Sequence, residues 1–347
     1  MPLIPGLAEA VVLCETGEPL RLMRLLIPIL KPEQGLVDVA FSGVCHSQLL
    51  EVRGLRGEDR FLPHTLGHEG SGTVMAIAAD VSKVKPGDHV VLTWIKGSGA
   101  DVPTTVYQGP DGPVNSGAVS IFMRQTVTCE NRVVPIDWNM PLREAALLGC
   151  AIPTGAGIIL NTADVQEGNT VAVFGAGGIG SNAILAAGLR KAGAVIAVDV
   201  FEHKLELARQ LGATHLVNTR QQEPLAAILE ITGGRGVDYA IECAGIRETM
   251  EKAFQAVRDN GGLCVLAGNL PHGERISINP FDLIRGKRIM GSWGGETQPD
   301  HDIPSYVEYY LSGELHLNRL LTHCYGLGDI NEALDDLDNG KNRPGAD

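Results

Sequence analysis

Apolar and polar positions follow two different periods along this chain, and the change falls near its middle. In the first 150 residues the apolar positions come in short runs cut by Gly, Pro and Asp. The clearest are Ala8–Leu13, Leu36–Phe41, Gly72–Ala78 and Asp88–Trp94, the last opened by the turn Lys85-Pro86-Gly87. Short runs bounded by turn residues predict strands, and their spacing predicts an irregular antiparallel, barrel-like domain. The segment from Ile95 to Gly117 is rich in Gly, Pro, Ser and Thr, lacks a period, and predicts a long loop. From about residue 165 strand-like and helical runs alternate. Thr170–Phe174 is followed by glycines and helical Ile179–Lys191, and Val195–Val198 by helical Lys204–Leu211. Asp238–Glu242, Thr249–Val257 and Gly262–Ala267 continue the alternation. Such a pattern predicts βαβ units, hence a parallel sheet with right-handed crossovers.

Length and charge narrow the picture. A chain of 347 residues exceeds what one hydrophobic core usually supports, so two domains are expected. The formal net charge of −13 and the lack of a Lys/Arg run argue against nucleic acid and against an anionic membrane surface. No apolar stretch is long enough to predict a transmembrane helix. Met1 to Leu13 has no basic leader and runs into a strand, so no signal peptide is expected. The seven cysteines are scattered and odd in number, which suggests reduced thiols or metal ligands in the cytoplasm.

Gly175-Ala176-Gly177-Gly178-Ile179-Gly180 fits the pattern G-x-G-x-x-G. It follows a predicted strand, opens a predicted helix, and Asp199 ends the next strand; this context turns a weak string into a dinucleotide-binding (Rossmann) fingerprint. Gly175 permits the tight turn, Gly177 lets the backbone approach a pyrophosphate, and Gly180 lets helix and strand pack closely. The amides around Gly178 and Ile179 at the helix N-terminus face the phosphates. A carboxylate at Asp199 accepts from the adenosine ribose hydroxyls and repels a 2′-phosphate, which favours NAD over NADP.

Gly43-Val44-Cys45-His46-Ser47, Gly67-His68-Glu69-Gly70, Pro86-Gly87-Asp88, Gly149-Cys150, the fingerprint and Gly291-Ser292-Trp293-Gly294-Gly295 follow one another along the chain. Singly they are bland. In this order and spacing the sequence resembles the zinc-dependent medium-chain dehydrogenase/reductase (alcohol dehydrogenase) family over nearly its whole length. The resemblance implies an oxidoreductase that moves a hydride between an alcohol, or its aldehyde or ketone, and NAD. It implies that Cys45, His68 and Cys150 hold a catalytic Zn2+ with an open fourth position, an arrangement known for alcohol dehydrogenases. Glu69 would approach the metal during ligand exchange. Ser47 would take the alcohol proton and pass it toward the nicotinamide ribose. His46 would meet the pyrophosphate, or alternatively end the proton path. Lys204 would lie near the adenosine ribose, and Trp94 and Trp293 would line the substrate and nicotinamide pocket.

The resemblance also implies a chaperonin-10-like β-barrel catalytic domain, residues 1–151 and 293–347, around a doubly wound nucleotide domain, residues 152–292. The active site is then expected in the cleft between them. Subunits would pair through an edge strand near Lys287–Trp293 into a homodimer or homotetramer. Three positions depart from the family. Ile95 to Gly117 has no Cys for a second, structural zinc, so one zinc per chain is expected. Gln48 stands where many members carry an Asp behind the zinc. Leu50 stands where the proton relay often ends in a His. Cys14, Cys129, Cys243, Cys264 and Cys324 are assigned to structure, and His64 and His89 to no special role. With the chain ending at Asp347, the family's terminal strand is expected to be short or missing. Competing readings are a zinc-free quinone or enoyl reductase using NAD(P)H, and a non-catalytic nucleotide-binding protein. Within the zinc enzymes, polyol, threonine, aminocyclitol and glutathione–formaldehyde-adduct dehydrogenases stay open; Pro280 to Trp293 has a flavour of the last.

Overall fold

The computed structural model describes residues 6–340, so the expected shortening of the terminal strand lies outside the described residues. The chain divides into two compact units, Met1–Cys150 with Gln298–Asp347, and Ala151–Thr297.

Among the described residues the first unit holds ten strands: β1 (Leu7–Leu13), β2 (Arg21–Leu26), β3 (Gln34–Ser42), β4 (His64–Thr65), β5 (Glu69–Ile77), β6 (His89–Thr93), β7 (Val106–Gly109), β8 (Gly112–Asn115), β9 (Gln125–Cys129) and β10 (Val133–Pro135). A closed barrel runs β1-β2-β7-β8-β4, and a second sheet runs β10-β6-β5-β3-β9. β1 shows why its sequence reads as an unbroken apolar run. Ala8, Ala10 and Val12 join a core with Leu25, Tyr107 and Val127, while Val11 and Leu13 join another with Leu49, Val52 and Leu334. A strand buried on both faces has no polar side to show.

The expected long loop at Ile95–Gly117 is corrected: it contains the β7–β8 hairpin, with Gly109 opposite Gly112 across Pro110-Asp111. The hairpin folds because its few apolar side chains alternate. Val106 is exposed, Tyr107 is buried, and the Tyr107 hydroxyl accepts the Val127 N–H at 2.8 Å.

The second unit is a six-stranded sheet of β11 (Thr170–Phe174), β12 (Ala194–Asp199), β13 (His215–Asn218), β14 (Tyr239–Glu242), β15 (Leu263–Leu266) and β16 (Arg288–Gly291). Every pairing is parallel, and the order is β13-β12-β11-β14-β15-β16. This is the doubly wound order, in which the chain reverses direction of travel between β11 and β14 and leaves a crevice at the strands' carboxyl ends. The unit ends at Thr297 instead of the 292 expected. The extra residues belong here because Thr297 Oγ1 donates to the Pro153 carbonyl at 2.9 Å, and Gly295 packs so closely that a Cβ on Gly157 would meet its oxygen at 2.5 Å. Among the described residues no single helix is long and apolar enough to cross a membrane.

Candidate metal and nucleotide sites

Three strand and helix ends in the first unit bring distant residues together. Cys45 caps the helix His46–Val52, where Gln48 Oε1 accepts the Cys45 N–H at 2.9 Å. His68 immediately precedes β5, and Glu69 begins it. Cys150 follows the helical stretch Leu142–Gly149, which Thr93 at the end of β6 fastens by donating its hydroxyl to the Gly149 carbonyl at 2.7 Å. The ligand atoms of Cys45, His68 and Cys150 consequently lie within 4.8 Å of one another. Ser47 Oγ donates to Cys45 Sγ at 3.4 Å. Trp94 stands edge-on to His68, the ring centroids 6.5 Å apart.

The electrostatics of this cluster test whether it suits a cation. The Cys150 thiol donates to Cys45, and with His68 and Ser47 it outweighs burial, holding the Cys45 pKa well below the usual thiol value. Cys150 moves well upward, because it supplies that hydrogen bond and because it is buried beside the Cys45 and Glu69 charges. Burial opposes the charged form of His68, but its hydrogen bond to Cys45 prevails and raises its pKa. Two adjacent buried sulfurs ionise together only if something neutralises them. A divalent, thiophilic ion does so, and two sulfurs with one imidazole are the donor set that zinc selects. The residues present fit the metal.

Glu69 is buried at the edge of this group. Its side chain occupies the space that a Cβ on residue 43 would need: built on Gly43, that atom would lie 2.5 Å from Glu69 Oε1. The glycine of G-V-C-H-S therefore makes room for the glutamate of G-H-E-G.

In the second unit the fingerprint lies between β11 and the helix Gly178–Leu189. Gly175 adopts φ +90°, a left-handed turn that side chains resist. A Cβ on Gly180 would lie 1.8 Å from the Gly175 carbonyl oxygen, whereas one on Gly177 would meet no protein atom within 4 Å. Packing thus excludes a side chain at Gly180, whereas the space beside Gly177 is open. Asp199 has a duty the sequence did not reveal. Its Oδ2 accepts the Ala176 N–H at 2.8 Å and its Oδ1 accepts the Phe201 N–H at 2.9 Å, so it fastens the glycine turn to the end of β12. Lys204 Nζ and the Arg220 guanidinium lie over the Phe201 ring, at 4.9 and 5.1 Å from its centroid.

Comparison with known proteins settles the family. Residues 31–138 match the alcohol dehydrogenase GroES-like domain, and residues 178–311 match the zinc-binding dehydrogenase family. An S-(hydroxymethyl)glutathione dehydrogenase of Synechocystis sp. is 34% identical over 96% of this chain and 97% of its own length. The chain belongs to the zinc-dependent medium-chain alcohol dehydrogenases. It is accordingly a zinc-dependent alcohol oxidoreductase with a nicotinamide cofactor. A second S-(hydroxymethyl)glutathione dehydrogenase, from Saccharomyces cerevisiae, is 33% identical over 95% of this chain and 93% of its own. Among solved structures, an alcohol dehydrogenase zinc-binding domain protein from Burkholderia ambifaria superposes with a TM-score of 0.90 at 31% identity, covering 98% of both chains. Benzyl alcohol dehydrogenase from Acinetobacter calcoaceticus superposes with a TM-score of 0.88 at 32% identity, covering 96% of this chain and 97% of that one.

The remaining expected site residues are distributed as follows. His46 is exposed at the start of its helix. Trp94 is half-buried beside His68, whereas Trp293 is 79% exposed. All seven cysteines are free thiols; Cys129 and Cys264 are buried, and Cys324 is exposed. His89 stacks on Trp138 with ring centroids 3.8 Å apart. Sequence reasoning singled out Gln48 behind the zinc position but not its bond to the Cys45 N–H, and it passed over Gly43 as the space for Glu69 and Phe201 with Arg220 beside Asp199. The one available signal was the helix-start spacing of Cys45 and Gln48, three residues apart as in a capping box.

Proposed function

We propose that this enzyme oxidises primary alcohols, or reduces the corresponding aldehydes, with NAD, using one zinc per chain. The convergence of Cys45, His68 and Cys150 within 4.8 Å carries the reading. When bound there, zinc supplies Lewis acidity that eases loss of the alcohol proton, and the nicotinamide takes up the hydride. The chain's own residues do the rest. Cys45 and Cys150 fix the ion as thiolates. Ser47, hydrogen-bonded to Cys45 Sγ, is the hydroxyl that receives the alcohol proton. Gln48 holds the Cys45 backbone, and Glu69 stands ready at the edge of the donor set. Gly175, Gly177, Gly178, Ile179 and Gly180 receive the pyrophosphate, and Asp199 selects NAD by its charge, with Lys204 near the ribose.

The flat Trp94 ring against His68 favours unbranched or planar alcohols, and the benzyl alcohol dehydrogenase likeness agrees with that. The names of the sequence relatives support a second reading, a glutathione–aldehyde adduct as substrate. A panel of alcohols with and without glutathione at saturating NAD separates the two. Seven unpaired cysteines favour a reducing compartment such as the cytoplasm. The edge strand β16, with Met290 partly exposed, supports pairing into a homodimer or a tetramer built from it.

The central test is Cys150→Ser. The variant should lose its tightly held zinc and its activity together while still binding NADH, followed by the cofactor's fluorescence. Wild type should retain close to one zinc per chain after treatment with a mild chelator. An active, zinc-free Cys150→Ser protein would sink the proposal.

A further inference from the structure

A second set of converging ligands lies in the first unit, apart from Cys45, His68 and Cys150. Glu51, Asp59 and His64 bring three potential ligand atoms within 4.8 Å of one another. His64 Nε2 is 2.8 Å from Asp59 Oδ2 and 3.9 Å from Glu51 Oε1. None of the three side chains is freely solvated: they are 8%, 12% and 28% exposed for His64, Asp59 and Glu51.

What distinguishes this group from a chance cluster is how each side chain is held from behind. His64 Nδ1 lies 3.1 Å from the Thr65 carbonyl oxygen, which can only accept, so Nδ1 is the protonated nitrogen. Asp59 Oδ1 accepts the Phe61 N–H at 2.9 Å. Glu51 Oε2 faces Arg56 Nη1 at 3.6 Å. Each residue therefore has one polar atom tied outward and the other turned to a common point. A histidine whose far nitrogen donates to a carbonyl, with carboxylates likewise anchored, is the arrangement that orients metal ligands. Nε2, Oδ2 and Oε1 face one shared point that calls for positive charge, supplied either by a second proton on Nε2 donated to Asp59 Oδ2 or by a cation that all three hold.

A cavity adjoins it. Glu51 and His64 line a cavity of about 290 Å³, and Gln48 and His68 line the same cavity, so it reaches from this group to the Cys45, His68 and Cys150 cluster. Gln48 is 1% exposed, and its Nε2 has no hydrogen-bond partner among the described residues. A buried amide donor without an acceptor is costly, and it would be satisfied by a water held on a cation in that space. We propose that Glu51, Asp59 and His64 form a second divalent-cation site. Two carboxylates and one imidazole without sulfur suit a hard or borderline ion such as Mn2+, its shell completed by cavity water, and do not compete for zinc with the thiolates.

Mn2+ itself is the probe. The zinc-loaded enzyme is titrated with Mn2+, and free Mn2+ is read from its paramagnetic resonance signal. Wild type should take up one saturable equivalent per chain beyond its zinc. Cys150→Ser should keep that equivalent although it loses zinc, which separates this site from the catalytic one. Asp59→Asn and His64→Gln should each weaken Mn2+ binding by at least about tenfold, the scale on which even outer-shell groups act, while retaining zinc. The half-buried Asp59 gives the milder change should His64→Gln fold poorly. Absence of a saturable equivalent in wild type would mean that His64 is an imidazolium held by two carboxylates, and the proposal would be overturned. Loss of Mn2+ uptake in Cys150→Ser, or undiminished uptake in Asp59→Asn, would overturn it as well.

Discussion

Replacing Asp199 with Ala should do two separable things, and their sizes follow from its contacts. The carboxylate receives two backbone N–H groups, from Ala176 at 2.8 Å and Phe201 at 2.9 Å. Ala176 is 2% exposed, so its N–H cannot turn to water when the carboxylate is gone. A buried donor left unpaired costs about 1–3 kcal/mol, and this is the expected loss of stability, read as a lowered urea midpoint. The Phe201 N–H, on a half-buried residue, should add less. The second effect concerns the cofactor. A charge-assisted hydrogen bond to the ribose hydroxyls is worth about 1.5–3 kcal/mol, so NAD should bind roughly ten- to a hundredfold more weakly. The 2′-phosphate of NADP would no longer meet a negative charge, so the ratio of kcat/KM for NADP to that for NAD should rise. The assay is kcat/KM for both cofactors in wild type, Asp199→Ala and Asp199→Asn, alongside urea unfolding of each. Asn keeps the volume and removes the charge, but its amide offers one acceptor where two N–H groups point. It should therefore lose selectivity and some stability together. If either variant loses stability and leaves the NADP-to-NAD ratio unchanged, Asp199 is a fastening for the glycine turn and not the selector. A wild type that uses both cofactors equally would refute the selector role directly.

Other expectations follow from single contacts. Gly43→Ala would set a Cβ 2.5 Å from Glu69 Oε1; the protein should fold with Glu69 displaced, and kcat or zinc retention should fall by roughly 10–100-fold, the usual effect of disturbing groups behind metal ligands. Tyr107→Phe strips the partner from the buried Val127 N–H and should cost about 1–3 kcal/mol in urea unfolding without changing kcat/KM. Burial works against ionisation of Asp238, but Arg258 and Thr170 outweigh it, so its pKa is depressed in the folded protein. A depressed carboxyl pKa contributes stability above the unfolded value of about 3.9 and loses it as pH falls through the folded one, so Asp238→Asn should destabilise at pH 7 and converge on wild type in acid.

The periods of the sequence carried most of the architecture, because each strand's surroundings are written in its own residues. β11 and β12 read as continuous apolar runs since both faces are buried, and they were placed to within a residue. The elements that escaped are those whose burial is decided elsewhere. β7 and β8 have four residues each, and only the barrel that encloses Tyr107 and Val114 reveals that they are strands. β13 lies at the sheet edge and opens on exposed His215 and half-buried Leu216, so it has no unbroken apolar run to show. β16 drew attention only through the family resemblance. No propensity marks any of them, because a hairpin or an edge strand is stabilised by cross-strand neighbours that lie far away in sequence.

The sites divide along the same line. The nucleotide fingerprint is local: one turn, one helix start and the next strand's end, all within a single βαβ unit, so spacing alone argues for it. The proposed metal ligands are not local. Cys45 caps a helix, His68 precedes β5 and Cys150 follows another helical stretch, and their meeting depends on the packing of Gly149 against β5 and β6. No spacing rule connects them; the family resemblance did. Glu51, Asp59 and His64 had neither aid, and His64 read as an ordinary histidine. Their convergence depends on a polar loop doubling back from the helix His46–Val52 to β4, with the Thr65 carbonyl and the Phe61 amide turning each side chain inward. A backbone carbonyl has no letter in a sequence. Wherever main-chain groups aim the side chains, as at Asp199 and again here, the residues stand in plain sight and their purpose becomes visible only in three dimensions.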